Sequence, residues 1–350
     1  MLQAKLDRMG IGFPKAENGE DIEILKQFFV PEDAEMFLKM EDRFQTPAEF
    51  AGTFGAEENV IAQRLEEMAQ RGLIFRTKRR DITYYRPMPM IHGIYEANGH
   101  RLDQALSKKL ARYFGKYLFK SWNLSGTPIF RTIPLNKDLV PHSEVMPYDD
   151  AEEIIRRAHK IALTNCACRE MMERNGKRAC SFPLDTCLML NEAADYYVEN
   201  GTGQYITKEK ALAGLKRNEK EGLVVNVSNS KNPEVMCSCC PCCCGVNVSA
   251  KYYMGPSRQV QGNYICAVDE AKCTGCGICV SRCAFDANKL VDGKLILNRD
   301  NCFGCGLCVS TCAAEARSLH RKSAAEHYVP PNTLFEAYER MAEKMAAGRS

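Results

Sequence analysis

Six of the eight positions from Cys237 to Cys244 are cysteine, in the run VMCSCCPCCCGV. Thiolates are soft ligands that suit zinc and iron–sulfur clusters, and they are also the nucleophiles of thiol–disulfide exchange. Neighbouring side chains in an extended segment point to opposite sides, so the whole run cannot face one centre. Cys237 with Cys239, or Cys240 with Cys242 and Cys244, can share a face, with Pro241 and Gly245 bending the path. Pro241 also argues against a central strand here, because it has no N–H for a ladder.

A second group lies upstream in TNCACREMMERNGKRACSFPLDTCLML, at Cys166, Cys168, Cys180 and Cys187. Four thiols are the requirement of one iron–sulfur cube. Leu184 and Asp185 read as the start of a helix through Leu188, Leu190, Ala194 and Tyr197. Cys187 would then sit in a first turn, where amide dipoles favour a thiolate. The two groups together hold ten cysteines, enough for one additional iron–sulfur cluster, or for two with two thiols left over. The expected arrangement is a bent, cysteine-rich loop meeting the 166–187 segment. A structural zinc site and redox-active dithiols are the alternatives, although vicinal cysteines form strained bridges. Arg169 has two readings, a cation that raises the potential of an adjacent cluster or one half of a surface salt bridge.

The third group is a duplication. CTGCGICVSRCAFDA starts at residue 273 and CFGCGLCVSTCAAEA at 302, so Cys273, Cys276, Cys279 and Cys283 recur as Cys302, Cys305, Cys308 and Cys312. This spacing wraps three thiolates around one iron–sulfur cube while the fourth leaves on a short helix. Gly275, Gly277, Gly304 and Gly306 let backbone amides approach the sulfurs. KLVDGKLIL alternates about Asp292-Gly293, a hairpin signal. Paired zinc knuckles fit less well, since zinc sites combine one close pair with a distant pair.

Residues 266–320 resemble a bacterial two-cluster ferredoxin. The resemblance implies two [4Fe-4S] clusters with crossed ligation: Cys273, Cys276 and Cys279 with Cys312 on one, and Cys302, Cys305 and Cys308 with Cys283 on the other. Ala284 and Ala313 replace the family's usual proline after the fourth cysteine, which weakens a turn preference and removes no ligand. Cys266 reads as a small core residue. Over roughly its last two thirds the chain is similar to poorly characterised iron–sulfur-binding proteins of anaerobic bacteria, in which a C-x-C-R segment and a multi-cysteine run precede such a ferredoxin. That similarity implies electron transfer rather than a defined substrate.

These sites must be carried by a chain of 350 residues, long enough for several domains with real cores. The cysteine count of nineteen is odd, and MLQAKLDRMGIGFPK has neither the apolar run nor the cleavage site of a secretory signal. A cytoplasmic location is expected, where cysteine clusters more often bind metal than pair. No apolar stretch approaches the roughly 18 residues of a membrane span. The net charge of +3 predicts no strong affinity for nucleic acid or membrane.

The N-terminal third carries a different pattern. Pro31 opens a helix with Met36, Phe37 and Met40 on one face, and Thr46 with Glu49 forms a capping box. A longer helix places Ile61, Leu65 and Met68 at core spacing and stops at Gly72. LIFRT and ITYYR then flank KRRD as two strands and a basic turn. Three helices and a hairpin in this order resemble a winged helix. The helix that would enter a DNA groove starts with Glu57 and Glu58, which face phosphates unfavourably, while the wing offers Lys78, Arg79 and Arg80. Residues 101–122 read as a linker helix with Leu106, Leu110, Phe114 and Leu118 in one stripe.

The expectation is a multidomain α+β chain. It comprises a winged-helix-like domain at 1–95, a helical linker at 96–160, a helical cysteine-rich iron–sulfur domain at 161–262, the ferredoxin domain at 263–322 and a C-terminal helix at 323–350. No histidine pair has metal spacing and no phosphate loop or dinucleotide fingerprint is present, so a nucleotide or flavin would belong to a partner. The expected function is single-electron transfer to or from a redox partner, a flavoprotein or another iron–sulfur protein. The rivals are a redox-responsive regulator binding DNA through the winged helix, and an enzyme acting on a sulfur-containing substrate at the central cysteines.

Overall fold

Local capping chemistry sets the N-terminal elements. The computed structural model describes residues 1–122, 127–135, 146–253 and 262–349. Helices α1 (Leu2–Leu6), α2 (Glu20–Phe28) and α3 (Pro31–Lys39) come first, α3 with Pro31 in its first turn. Thr46 and Glu49 close a reciprocal capping box on α4 (Pro47–Phe54), and α5 (Glu58–Gln70) ends ahead of Gly72. Strands β1 (Ile74–Arg79) and β2 (Ile82–Pro87) pair antiparallel. The helices and hairpin thus follow in the expected order, with α1 and α2 as extra elements before them. After α6 (Tyr95–Ala97), helix α7 (Gln104–Tyr113) continues through π-helical residues Phe114–Leu118 into α8 (Phe119–Trp122). Its stripe is buried at Leu110, Phe114 and Leu118 and partly so at Leu106.

The middle region is built on a sheet, which corrects the helical expectation. Strands β3 (Phe130–Thr132), β4 (Ile161–Asn165), β5 (Asp185–Leu190), β6 (Gly203–Tyr205), β7 (Val224–Ser228) and β8 (Val235–Cys239) lie in the order β3-β7-β8-β5-β4-β6. Every neighbouring pair is antiparallel. Helices α9 (Ala151–Arg157), α10 (Ala167–Arg174), α11 (Glu192–Glu199), α12 (Lys208–Glu221) and α13 (Gly245–Tyr253) flank it. Asp150 caps α9 and Thr207 caps α12.

Cys187 is therefore on a strand, not in a helical first turn. Thr186 through Leu190 are buried without interruption. An apolar run of that length has no period that separates a doubly covered strand from a buried helix. Asn191, at φ +55°, breaks the chain direction, and helix begins only at Glu192. Likewise β8 is an interior strand, and Pro241 sits in the turn just beyond its end.

Side-chain alternation divides this sheet into two chemically distinct faces. Leu188, Leu190, Val225, Val227 and Met236 meet Ile155 of α9 and Leu215 of α12 on one face. Cys187, Met189 and Cys237 meet Cys166 and the Ala193–Ala194 pair of α11 on the other.

The C-terminal region comprises β9 (Tyr264–Val268), α14 (Ile278–Arg282), β10 (Asn288–Val291), β11 (Lys294–Leu297), β12 (Arg317–Arg321) and α15 (Leu334–Arg349). β9 pairs antiparallel with β12. β10 and β11 form the expected hairpin, turning at Asp292 (φ +49°) and Gly293 (φ +74°). Thr333 Oγ1 accepts from the Glu336 amide at the start of α15, 3.2 Å away. Arg282 donates to the carbonyls of Glu219 (2.6 Å) and Lys220 (2.7 Å), supplying a cation to the C-terminal end of α12. Lys251 of α13 pairs with Asp286 at 2.9 Å.

Candidate metal centres

Six thiols on the second face of the middle sheet form a closed chain of contacts. Cys187 neighbours Cys166 and Cys237, Cys237 neighbours Cys239, Cys239 neighbours Cys244, Cys244 neighbours Cys168, and Cys168 returns to Cys166, each pair close enough to shift the other's acidity. The register explains this: Cys187 lies opposite Cys237, and alternation along β8 puts Cys239 on the same face. Cys166 and Cys168 enter from the start of α10, and Cys244 from just ahead of α13.

The other four middle cysteines form a separate set. The sulfurs of Cys180, Cys240, Cys242 and Cys243 all lie within 4.8 Å of one another. Cys243 Sγ is 3.7 Å from both Cys180 Sγ and Cys242 Sγ. Thiolates about 2.3 Å from a tetrahedral ion stand roughly 3.8 Å apart, so this spacing fits a single zinc or iron ion. The sharing of a face by Cys240, Cys242 and Cys244 does not hold. The turn at 241–243 resets the alternation, and Cys244 joins the ring of six.

Arg169 stands between the two sets. It is fully buried and donates to the Pro183 carbonyl (2.9 Å), the Ser238 carbonyl (2.7 Å) and Thr186 Oγ1. Among the described residues no carboxylate pairs with it, which removes the surface salt-bridge reading. Its charge acts on Cys166 and Cys239 of the ring and on Cys240 of the four-thiol set. Hydrogen bonds from Cys168 and Cys187, helped by Arg169, hold Cys166 well below the usual thiol range. The Cys243 hydrogen bond, with Arg169 adding to it, brings Cys240 down to about 4. Cys239 falls to about 6 through Cys237 and Cys244, while burial pushes Cys242 up to about 12. Each set thus holds sulfurs ready to be thiolates, the form that binds metal.

In the C-terminal repeat, glycine is required where backbones touch. A Cβ on Gly304 would lie 2.1 Å from the Tyr264 carbonyl oxygen, and one on Gly275 would lie 2.8 Å from that of Gly293. Both residues have positive φ, which further favours glycine. Cys305 has Cys308, Cys283 and Cys302 as its charged neighbours. Cys279 has Arg317, Cys308, Cys273 and Cys276. Cys276 is exposed, whereas Cys302 and Cys308 are buried.

Two residues add to this picture. Cys266, buried in β9, places its sulfur 3.4 Å from Cys308 Sγ and also bonds Cys302. Those bonds lead in bringing Cys302 and Cys308 each down to about 6. Arg317 is buried on β12 and donates to Asn288 Oδ1 (3.0 Å) and Cys308 Sγ (3.5 Å). Sequence reasoning passed over Arg317, because nothing in EARSLHR shows that the strand returns it to a loop nine residues back.

Two of the three basic wing residues make ion pairs within the chain. Arg79 makes two bonds to Glu192 of α11, at 2.8 and 3.1 Å, and Lys78 pairs with Asp81 at 3.4 Å. Arg76 reaches Glu199 at 2.6 Å, fastening the hairpin to the same helix. Among the described residues no helix is long and apolar enough to cross a membrane.

Tandem four-cysteine loops closed by glycines on a small antiparallel frame define a ferredoxin-like iron–sulfur segment. Residues 272–316 match the family model of a 4Fe-4S dicluster domain. No curated protein and no solved structure matches the chain.

Proposed function

We propose that the chain passes single electrons between a partner oxidoreductase and centres held by its middle cysteines, through two [4Fe-4S] clusters in residues 263–322. The single observation that carries this reading is the paired, glycine-closed cysteine loops within the matched segment. Such clusters gain and lose one electron with little rearrangement. Crossed ligation, with Cys283 on the second loop's centre and Cys312 on the first, is part of the proposal. The proximity of Cys283 to Cys305 supports its first half.

The division of labour follows. Residues 161–262 hold one or two further centres, using the six-thiol ring and the four-thiol set. Residues 1–95 and the helices through Trp122 pack over the ring, whereas β3 and α9, inside the span expected as a helical linker, belong to the middle sheet and its other face. The wing contacts to α11 support this covering role in place of DNA binding. The partner, a flavoprotein or another iron–sulfur protein, docks near Cys276. Ile278, Leu290, Val291 and Ile296 are exposed apolar side chains of that region, and Leu290 leans on the Gly277 loop.

The test is anaerobic reduction with dithionite followed by low-temperature EPR. Two interacting [4Fe-4S] signals, discharged one electron at a time by an added flavoprotein acceptor, are expected. A reduced, folded sample with no iron–sulfur signal would overturn the reading.

A further inference from the structure

A cavity of about 770 Å³ lies against the thiol-bearing face of the middle sheet. All six ring cysteines line it, and of the four-thiol set only Cys242 and Cys243 do. The remaining wall is largely aromatic and aliphatic, with Ile91, Phe114, Phe119, Trp122 and Phe130. Its volume falls within the roughly 300–1,000 Å³ of small-molecule sites, and it reaches well past the thiols that would clasp a cluster.

The polar lining restricts the occupant. Glu96, Tyr197 and Glu234 line the chamber, each half-buried with accessible surface left. Among the described residues the lysines and arginines on the lining are Lys108, Arg112 and Lys177, all exposed at its outer edge. The interior therefore offers hydrogen-bonding groups and apolar surface beside the thiols; its one nearby buried cation, Arg169, stands behind the ring and off the lining, committed to the thiols and to three oxygen acceptors.

We propose that this chamber admits a small, uncharged, mostly apolar molecule to the face of the cofactor held by the six-thiol ring. The middle region is then a ligand-binding site in addition to an electron relay. This rests on the reading that the ring holds an iron–sulfur centre.

The test uses the full chain, purified anaerobically with its iron, and two probes: n-butyl isocyanide, which is uncharged and apolar, and azide, an anion. The isocyanide should change the EPR line shape of the central centre at concentrations at least tenfold below those at which azide acts, and should leave the ferredoxin signals unchanged. Val248→Trp and Met172→Trp, which fill the chamber from different walls, should abolish the change while retaining central iron. No change with the isocyanide, an equal response to azide, or a response that survives both fillings overturns the proposal. Filled variants that expel the central iron also overturn it, since the space would then belong to the cofactor itself. Only about eight irons per chain in the unaltered protein, the content of two [4Fe-4S] clusters, would instead remove the middle-region centre on which the proposal depends.

Discussion

Cys187 and Cys237 face each other across β5 and β8, two interior strands of an antiparallel sheet, and so share the face on which four more thiols converge. Residues 50 positions apart in the chain meet here through strand register alone. Six thiols gathered on rigid strands and helix starts form a prearranged donor set, with Arg169 behind it as its cation.

Replacing both Cys187 and Cys237 by serine removes two adjacent members of that ring. The expected result is loss of the central centre, at least about four irons per chain, with the ferredoxin EPR signals intact. Cys266→Ser, by contrast, leaves the iron count unchanged, since Cys266 packs as a small core residue. Iron analysis paired with EPR separates the two outcomes.

Arg169→Met keeps much of the side-chain volume and deletes the buried charge. A positive charge favours the reduced, more negative state of a nearby cluster, so its loss lowers the central potential. The expected drop is on the order of 60 mV, one tenfold step for a one-electron couple. Arg169→Lys should not restore the native value, because a single ammonium cannot reproduce the guanidinium fork that reaches Pro183, Thr186 and Ser238. A redox titration followed by EPR reads both variants.

Gly304→Ala drives a methyl group into the Tyr264 carbonyl at a backbone position of φ +68°. The second cysteine loop can no longer close against β9. One ferredoxin signal of the two should disappear, while the central centre stays loaded.

Glu234 provides a pH signature. Burial raises its carboxyl from 4.5 to about 7. Between those values the folded chain holds a proton that the unfolded chain has released. Stability therefore falls as pH rises through this window, by on the order of 3 kcal/mol. Glu96, also raised to about 7 by burial, contributes in the same direction. Between pH 4.5 and 8 the unfolding free energy of Glu234→Gln should fall by about 3 kcal/mol less than that of the unaltered chain.

Short-range patterns in the chain were readable and long-range pairings were not. The cysteine repeat, the Asp292-Gly293 hairpin and the Thr46–Glu49 box each lie within a few residues, and the structure contains them. The segment DTCLML was misassigned because unbroken burial erases the period that distinguishes strand from helix. Adjacent Cys239 and Cys240 do point to different sets, as alternation requires, yet each set is completed from residues 166 to 187, by Cys166, Cys168 and Cys187 in one and by Cys180 in the other. No local pattern encodes that division of ten thiols into six and four, which depends on the order of β8, β5 and β4 in the sheet. Arg317 escaped notice for the same reason, since its contact with Cys308 arises only once β12 lies beside β9.

Iron and acid-labile sulfide, measured per chain on anaerobically purified, folded protein, test the central claim most directly. Two ferredoxin clusters together with a central centre predict at least about twelve irons, accompanied by comparable sulfide. A value of about eight or fewer would contradict an iron–sulfur role for the middle cysteines.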